Sequence, residues 1–180
     1  MKTIIFISGI FVPKFVGKSS LIWNDKIWEN YNRIYVSSTI PTSNKVVEKE
    51  LDSLASIVRL YDKPILAGQS LGGWWAANLA THRKISIDKL ILFTPMCESN
   101  SFPLFDYTNH YNPCELAPVI SGPHKVLVFP AYYDNIVPIK QHANKLIKHF
   151  NAMDYLLSGD HWYQADHLAG LKFAQEWIEI

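Results

Sequence analysis

Short apolar runs alternate along the chain with stretches in which apolar residues recur at helical spacing. The runs lie at 3–7, 33–36, 64–67, 87–93, 125–129 and 153–157, and they predict six strands. Most of these runs lack an alternating polar face, which is typical of strands buried on both sides of a parallel sheet. Thr3 to Ile7, closed by Ser8-Gly9, is expected to lie centrally in that sheet.

Helical patterns fill most of the intervals between these runs. The strongest follows the turn 41–44 and carries apolar residues three or four positions apart, at Val46, Val47, Leu51, Leu54, Ile57, Val58 and Tyr61. Four further helices are predicted, from Ser19 or Ser20 as the cap to about Asn30, from Leu71 to about His82, from Pro138 to Phe150, and from about Ala165 to Ile180. The fold class is therefore α/β, a three-layer sandwich in which a mostly parallel sheet of about six strands carries helices on both faces.

Residues 96–123 interrupt this alternation. They contain four prolines, Pro103, Pro113, Pro118 and Pro123, and show no sustained hydrophobic period. We predict a long loop or a small cap here. With no internal repeat or linker elsewhere, residues 1–180 are expected to form a single domain.

Composition excludes several classes of partner. Lys and Arg number 17 against 16 Asp and Glu, and no basic run suggests a nucleic acid or a membrane surface. The N-terminal apolar run is too short to span a membrane and no cleavage site follows it, so a cytoplasmic protein is expected. Cys97 and Cys114 lack zinc or redox spacing; two reduced thiols are the default, with a disulfide as the open alternative. Nothing in the sequence indicates the oligomeric state.

The segment Gly68-Gln69-Ser70-Leu71-Gly72 lies between a predicted strand and a predicted helix. This is the setting of a nucleophile elbow, where a tight turn requires small flanking residues and lifts the serine hydroxyl above the sheet. The following helix would then direct the Leu71 N–H toward an oxyanion formed at Ser70. The alternative is an ordinary strand-to-helix turn with close packing.

A serine hydroxyl needs a base to take its proton and an acid to orient that base. Asp134 follows the run 125–129 and is the candidate acid, although it could instead cap the turn before the helix at Pro138. His161 follows the last predicted strand and is the candidate base. His167 is its rival, but it is expected inside the closing helix. The remaining histidines are expected to be packed or solvated.

The turn after the first strand is the expected source of a second oxyanion donor, and we assign this role to the Ile10 N–H. Phe11 and Phe15 would border the site, together with Phe105 from the irregular segment. These three candidate substrate-binding residues offer an apolar wall suited to an uncharged acyl or alkyl group. Packing beneath a loop is an equal alternative for Phe11 and Phe15.

The chain order of Ser70, Asp134 and His161, with an oxyanion loop after the first strand, resembles the α/β-hydrolase superfamily along almost the whole chain. The chain is similar to compact members that start at the third strand of the family, such as small bacterial esterases and small serine hydrolases related to retinoblastoma-binding protein 9. Members commonly have His-Gly where this chain has Ser8-Gly9. The resemblance implies a minimal fold without a large lid.

It also implies hydrolysis of a small-molecule carboxylic ester or thioester through an acyl-enzyme on Ser70, with no metal or organic cofactor. Two alternatives stay open. The chain could be a non-catalytic binding protein that keeps the hydrolase fold, or an acyltransferase that uses the same serine. The sequence does not indicate the natural substrate or its acyl-chain length.

Overall fold

A computed structural model describes residues 1–9, 26–98, 111–161 and 167–180. Within these ranges the strands are β1 (Thr3–Ile7), β2 (Asn32–Val36), β3 (Ile65–Gln69), β4 (Lys89–Phe93), β5 (Val126–Phe129) and β6 (Met153–Asp154). They form one six-stranded sheet in the order β2-β1-β3-β4-β5-β6, and every neighbouring pair is parallel. The predicted parallel sheet is confirmed.

The α-helices of the described residues are α1 (Asn44–Val58), α2 (Leu71–Thr81), α3 (Ala143–Phe150) and α4 (His167–Glu179). A 3-10 helix also covers Lys26–Trp28, so the described end of the helix predicted up to Asn30 is only a short turn. The helix predicted to reach Tyr61 ends at Val58, because the N–H groups of Leu60 and Tyr61 bond to carbonyls three residues back and tighten the chain.

The helix predicted to begin at Pro138 begins instead at Ala143. His142 has φ −124° and ψ −74°, well away from helical values, and it interrupts the turns that precede α3. Its buried ring accepts a hydrogen bond from the Cys97 N–H at 3.1 Å. A tertiary contact therefore sets the start of this helix.

Successive residues of each strand point to opposite faces of the sheet, and two cores result. On one face Ile5 and Ile7 pack with residues of α1, α2 and α3. On the other face Ile4 and Phe6 pack with Trp28 and with residues of α4. Helices thus cover both faces, which confirms the predicted three-layer arrangement.

The last strand is shorter than predicted. The run 153–157 pairs as a strand only over Met153–Asp154, and an isolated bridge then joins Leu157 to Ala131. Between these contacts lies Pro130, which has no N–H to donate to a neighbouring strand. The missing donor at Pro130 interrupts the ladder, and the strand ends at Asp154.

The strand order creates a crevice at the carboxyl edge. From β1 the chain first goes to β2 on one side and then crosses to β3 on the other. Loops that leave β1 and β3 therefore diverge, and in parallel sheets ligands bind at such a switch point. Both Gly9 and Ser70 lie there.

Two further expectations, on the irregular segment and on membrane spans, can be compared with the structure only over the described residues. The described portions of the irregular segment, 96–98 and 111–123, carry no strand and no α-helix, while 99–110 lie outside the described residues. No described helix has the length and apolar character needed to cross a membrane.

Candidate active site

Ser70 occupies a strained turn between β3 and α2. Its φ of 54° and ψ of −120° are rare for a residue with a side chain, and the surrounding hydrogen bonds hold it there. The Ser70 N–H donates to the Phe93 carbonyl at 3.0 Å, and the Ser70 carbonyl accepts from the Met96 N–H at 3.1 Å. The Ser70 side chain does not cap α2, and the residue is partly exposed.

The glycines on either side of Ser70 are required by close backbone contacts. A Cβ added to Gly68 would lie 2.3 Å from the Gly72 carbonyl oxygen. A Cβ added to Gly72 would lie 2.1 Å from the Ile7 carbonyl oxygen. Real Cβ atoms do not approach backbone this closely, so the turn admits only glycine at both positions.

The loop after β1 passes directly against the serine. A Cβ on Gly9 would lie 3.1 Å from the Ser70 Cβ. The preceding residue, Ser8, is fixed because its N–H donates to the Val36 carbonyl at 3.0 Å and its carbonyl accepts from the Ser38 hydroxyl at 2.7 Å. This arrangement brings the end of β1 to the Ser70 turn.

The predicted oxyanion donors lie in different parts of the chain. Leu71 is the first residue of α2, where backbone N–H groups have no partner within the helix. Ile10, the other predicted donor, lies outside the described residues. The same is true of the three predicted substrate-binding residues, Phe11, Phe15 and Phe105.

Asp134 both fixes its own turn and binds a histidine. Its Oδ1 accepts from the backbone N–H groups of Ile136 at 2.9 Å and Val137 at 2.7 Å. Its Oδ2 lies 2.8 Å from the Nδ1 of His161. The turn-capping role weighed for Asp134 and the contact with His161 therefore occur together, one on each carboxylate oxygen.

The Asp134–His161 pair is shielded from water. The Asp134 side chain is fully buried and that of His161 is 5% exposed. A carboxylate accepts hydrogen bonds, so the proton on this ring belongs on Nδ1, and Nε2 then carries the lone pair. A histidine held in this tautomer can take a proton at Nε2.

Gln69 is a site residue that the sequence analysis passed over. Its Nε2 donates to the main-chain carbonyl of His161 at 3.5 Å. Because Gln69 directly precedes Ser70, this contact ties the histidine loop to the Ser70 turn. The feature that could have indicated Gln69 is that it is a buried polar residue in an otherwise apolar strand.

Other histidines have different surroundings. His142 is fully buried, and burial lowers its pKa to about 4, although the carboxylates of Glu98 and Asp134 oppose the shift. Burial also lowers the pKa of His82. His167 begins α4. In the described ranges, no group of three or more His, Cys, Asp or Glu could hold a metal ion.

No protein-family model matches the chain, and no curated protein matches its sequence. Solved structures do match. Est1E from Butyrivibrio proteoclasticus, also solved with ferulic acid bound, has a TM-score of 0.78 at 12% identity, covering 99% of this chain and 87% of Est1E. A protein of Xanthomonas campestris, ascribed to the α/β superfamily of hydrolases, has a TM-score of 0.68 at 18% identity with 100% of both chains covered.

A serine hydrolase involved in carbazole degradation is also similar, with a TM-score of 0.73 at 13% identity, covering 99% of this chain and 91% of that one. At such identities the likeness is one of fold. The chain has the α/β-hydrolase fold in a compact form, as its resemblance to that superfamily implied.

Proposed function

We propose that this protein is a serine hydrolase that cleaves a carboxylic ester or thioester through an acyl-enzyme on Ser70. The observation that carries the proposal is the buried 2.8 Å contact between Asp134 and His161 at the sheet edge where Ser70 stands. The Gln69 contact joins the two halves of the site. The similar structures, which include a serine hydrolase, support this reaction class.

In this mechanism His161 accepts the Ser70 proton at Nε2 while Ser70 Oγ attacks the acyl carbonyl. The Leu71 N–H, with the Ile10 N–H as the second donor, stabilises the oxyanion of the tetrahedral intermediate. The intermediate collapses, and the leaving alcohol or thiol takes the proton from His161. Water, deprotonated by the same ring, then attacks the acyl-enzyme; release of the carboxylic acid returns the proton to Ser70.

The substrate is a small acyl compound in this proposal, with no metal or organic cofactor. Phe11, Phe15 and Phe105 supply its apolar contacts. Ferulic acid bound to Est1E makes esters of aryl acids one arm of a substrate panel, beside aliphatic esters and thioesters of increasing length. A preference for short chains would indicate a small pocket, and a preference for long chains a groove.

Active-site labelling tests the proposal. A fluorophosphonate should modify the wild-type protein at Ser70, and Ser70→Ala should lose both labelling and cleavage of a short p-nitrophenyl ester. Ser86→Ala, at an exposed serine before β4, is the matched control and should keep both. Ester cleavage that survives in folded Ser70→Ala would refute the proposal.

The same assays separate the two alternatives. A non-catalytic binding protein would show neither labelling nor turnover in the wild type. An acyltransferase would label at Ser70 but, given a competing alcohol or amine, would yield the transfer product in place of the free acid.

A further inference from the structure

Two thiols approach each other beside the candidate site. The Sγ atoms of Cys97 and Cys114 are 3.3 Å apart, and both cysteines are free. A disulfide bond is about 2.05 Å long, so the sulfurs need to close by only about 1.3 Å to bond. Such a shift lies within the reach of side-chain torsions.

Surrounding hydrogen bonds hold the two thiols close together. The Cys97 N–H donates to the His142 ring at 3.1 Å, which fixes the chain after β4. The Asn112 side-chain oxygen accepts from the Cys114 N–H at 2.9 Å and faces the Cys97 sulfur at 3.7 Å. Asn112 therefore contacts both cysteines and holds the pair together.

The two thiols differ in environment. Cys97 is fully buried, whereas Cys114 is partly exposed and can meet a reagent from solvent. The two thiols are within hydrogen-bond distance of each other, and this contact lowers the pKa of Cys114 and raises that of Cys97. Because the thiolate is the nucleophile in disulfide exchange, Cys114 is the attacking residue and Cys97 the resolving one.

We propose that Cys97 and Cys114 form a reversible dithiol–disulfide couple that is oxidised by a small-molecule disulfide such as oxidised glutathione. The Cys114 thiolate attacks one sulfur of that reagent, whose S–S bond breaks and releases one thiolate. Cys97 then gives up its proton and attacks the Cys114 sulfur, which releases the second thiolate. Two protein thiols are oxidised, one small disulfide is reduced to two thiols, and the two protons pass to the released thiols.

The bond would stand close to the nucleophile turn. Met96, which directly precedes Cys97, donates its N–H to the Ser70 carbonyl at 3.1 Å. A disulfide would also close a loop between cysteines 17 positions apart. Loop closure of this length should lower the equilibrium constant for unfolding by about a hundredfold.

Thiol counting with oxidised glutathione tests the proposal. The native protein is incubated with the reagent, quenched in acid, alkylated and mapped by peptide mass spectrometry. We expect wild type to lose both thiols, to yield a Cys97–Cys114 linked peptide and to hold no lasting glutathione adduct. Dithiothreitol should restore both thiols, and the oxidised form should unfold at a higher urea concentration than the reduced form.

Two variants identify the order of attack. Cys97→Ser should retain glutathione on Cys114, because nothing resolves the mixed disulfide. Cys114→Ser should stay unmodified at the buried Cys97. If Cys97→Ser does not fold, Cys97→Ala replaces it, with circular dichroism as the check on folding.

Wild type that keeps both thiols, or that accumulates the glutathione adduct at Cys114, would overturn the proposal. So would a linked peptide that forms only in urea. None of these readouts requires catalytic activity, so the outcome is independent of the hydrolase assays.

Discussion

Replacement of Asp134 by asparagine isolates the role of one carboxylate oxygen. In the native site Oδ1 accepts the Ile136 and Val137 N–H groups, and Oδ2 accepts the proton on His161 Nδ1. An asparagine has a single acceptor oxygen, and the two backbone donors require it. The amide NH₂ of Asp134→Asn must then face the histidine ring.

An NH₂ group donates, so it stabilises the ring tautomer in which Nδ1 is bare and Nε2 carries the proton. His161 in that form cannot take a proton from Ser70. In a Ser-His-Asp triad this change lowers kcat by about 10⁴, which corresponds to about 5 kcal/mol of transition-state stabilisation. Folding should suffer less, by about 1 kcal/mol for each hydrogen bond, because the three charge-assisted hydrogen bonds of the carboxylate become neutral ones while all three contacts remain.

The assay is kcat on a short p-nitrophenyl ester, together with the free energy of unfolding from urea titration. Asp134→Ala removes all three acceptor contacts and should lose both activity and stability. Asp154→Asn, at an exposed position at the end of β6, should change neither. Folded Asp134→Asn with activity within tenfold of wild type would show that Asp134 does not orient the base.

A glycine substitution tests the packing of the Ser70 turn, and a histidine substitution tests the pH dependence of stability. Gly72→Ala should cost more than about 4 kcal/mol in urea unfolding, because its Cβ would meet the Ile7 carbonyl oxygen at 2.1 Å. Gly170→Ala should cost far less, because its Cβ would meet side chains and no backbone, the Leu157 methyl at 2.8 Å and the Phe129 ring at 3.4 Å. Equal costs for the two variants would contradict the Gly72 contact. Burial lowers the pKa of His142 to about 4, so its ring stays neutral in the native protein above that pH. In the unfolded chain the same ring binds a proton below about pH 6.5. The free energy of unfolding should therefore fall by about 3 kcal/mol from pH 7 to pH 4. Urea titrations at several pH values should show a weaker pH dependence of the unfolding free energy in His142→Asn. The control His124→Asn, at an exposed position, should keep the wild-type pH dependence. An unchanged pH dependence in His142→Asn would contradict the role given to His142.

Local sequence determined most of the fold. Four of the strand runs are buried on both sides of one parallel sheet, as largely apolar runs predict, whereas the edge strands β2 and β6 are only partly buried. The boundaries that differ depend on distant residues. α3 begins late because the Cys97 N–H binds the ring of His142, and β6 ends early beside Pro130, which follows β5. Neither partner is visible in the local pattern.

The candidate site divides in the same way. Ser70, Asp134 and His161 could be selected because each follows a predicted strand, and carboxyl ends of parallel strands share one edge. The structure has Asp134 Oδ2 and His161 Nδ1 2.8 Å apart. The links from Gln69 to His161 and from Met96 to Ser70 could not be predicted, since they depend on how closely the loops approach after the sheet has formed.

Two residues at the carboxyl edge of the sheet have strained backbone conformations. Ser70 and Thr94 follow neighbouring strands, and both have positive φ, 54° and 38°. Each nevertheless donates its N–H to the last residue of the next strand, Ser70 to Phe93 at 3.0 Å and Thr94 to Phe129 at 2.8 Å. The ladder thus extends one residue beyond β3 and β4 and holds two unfavourable backbone conformations in place. The serine hydroxyl stands at the edge because the sheet stabilises a turn that the residue would not adopt alone.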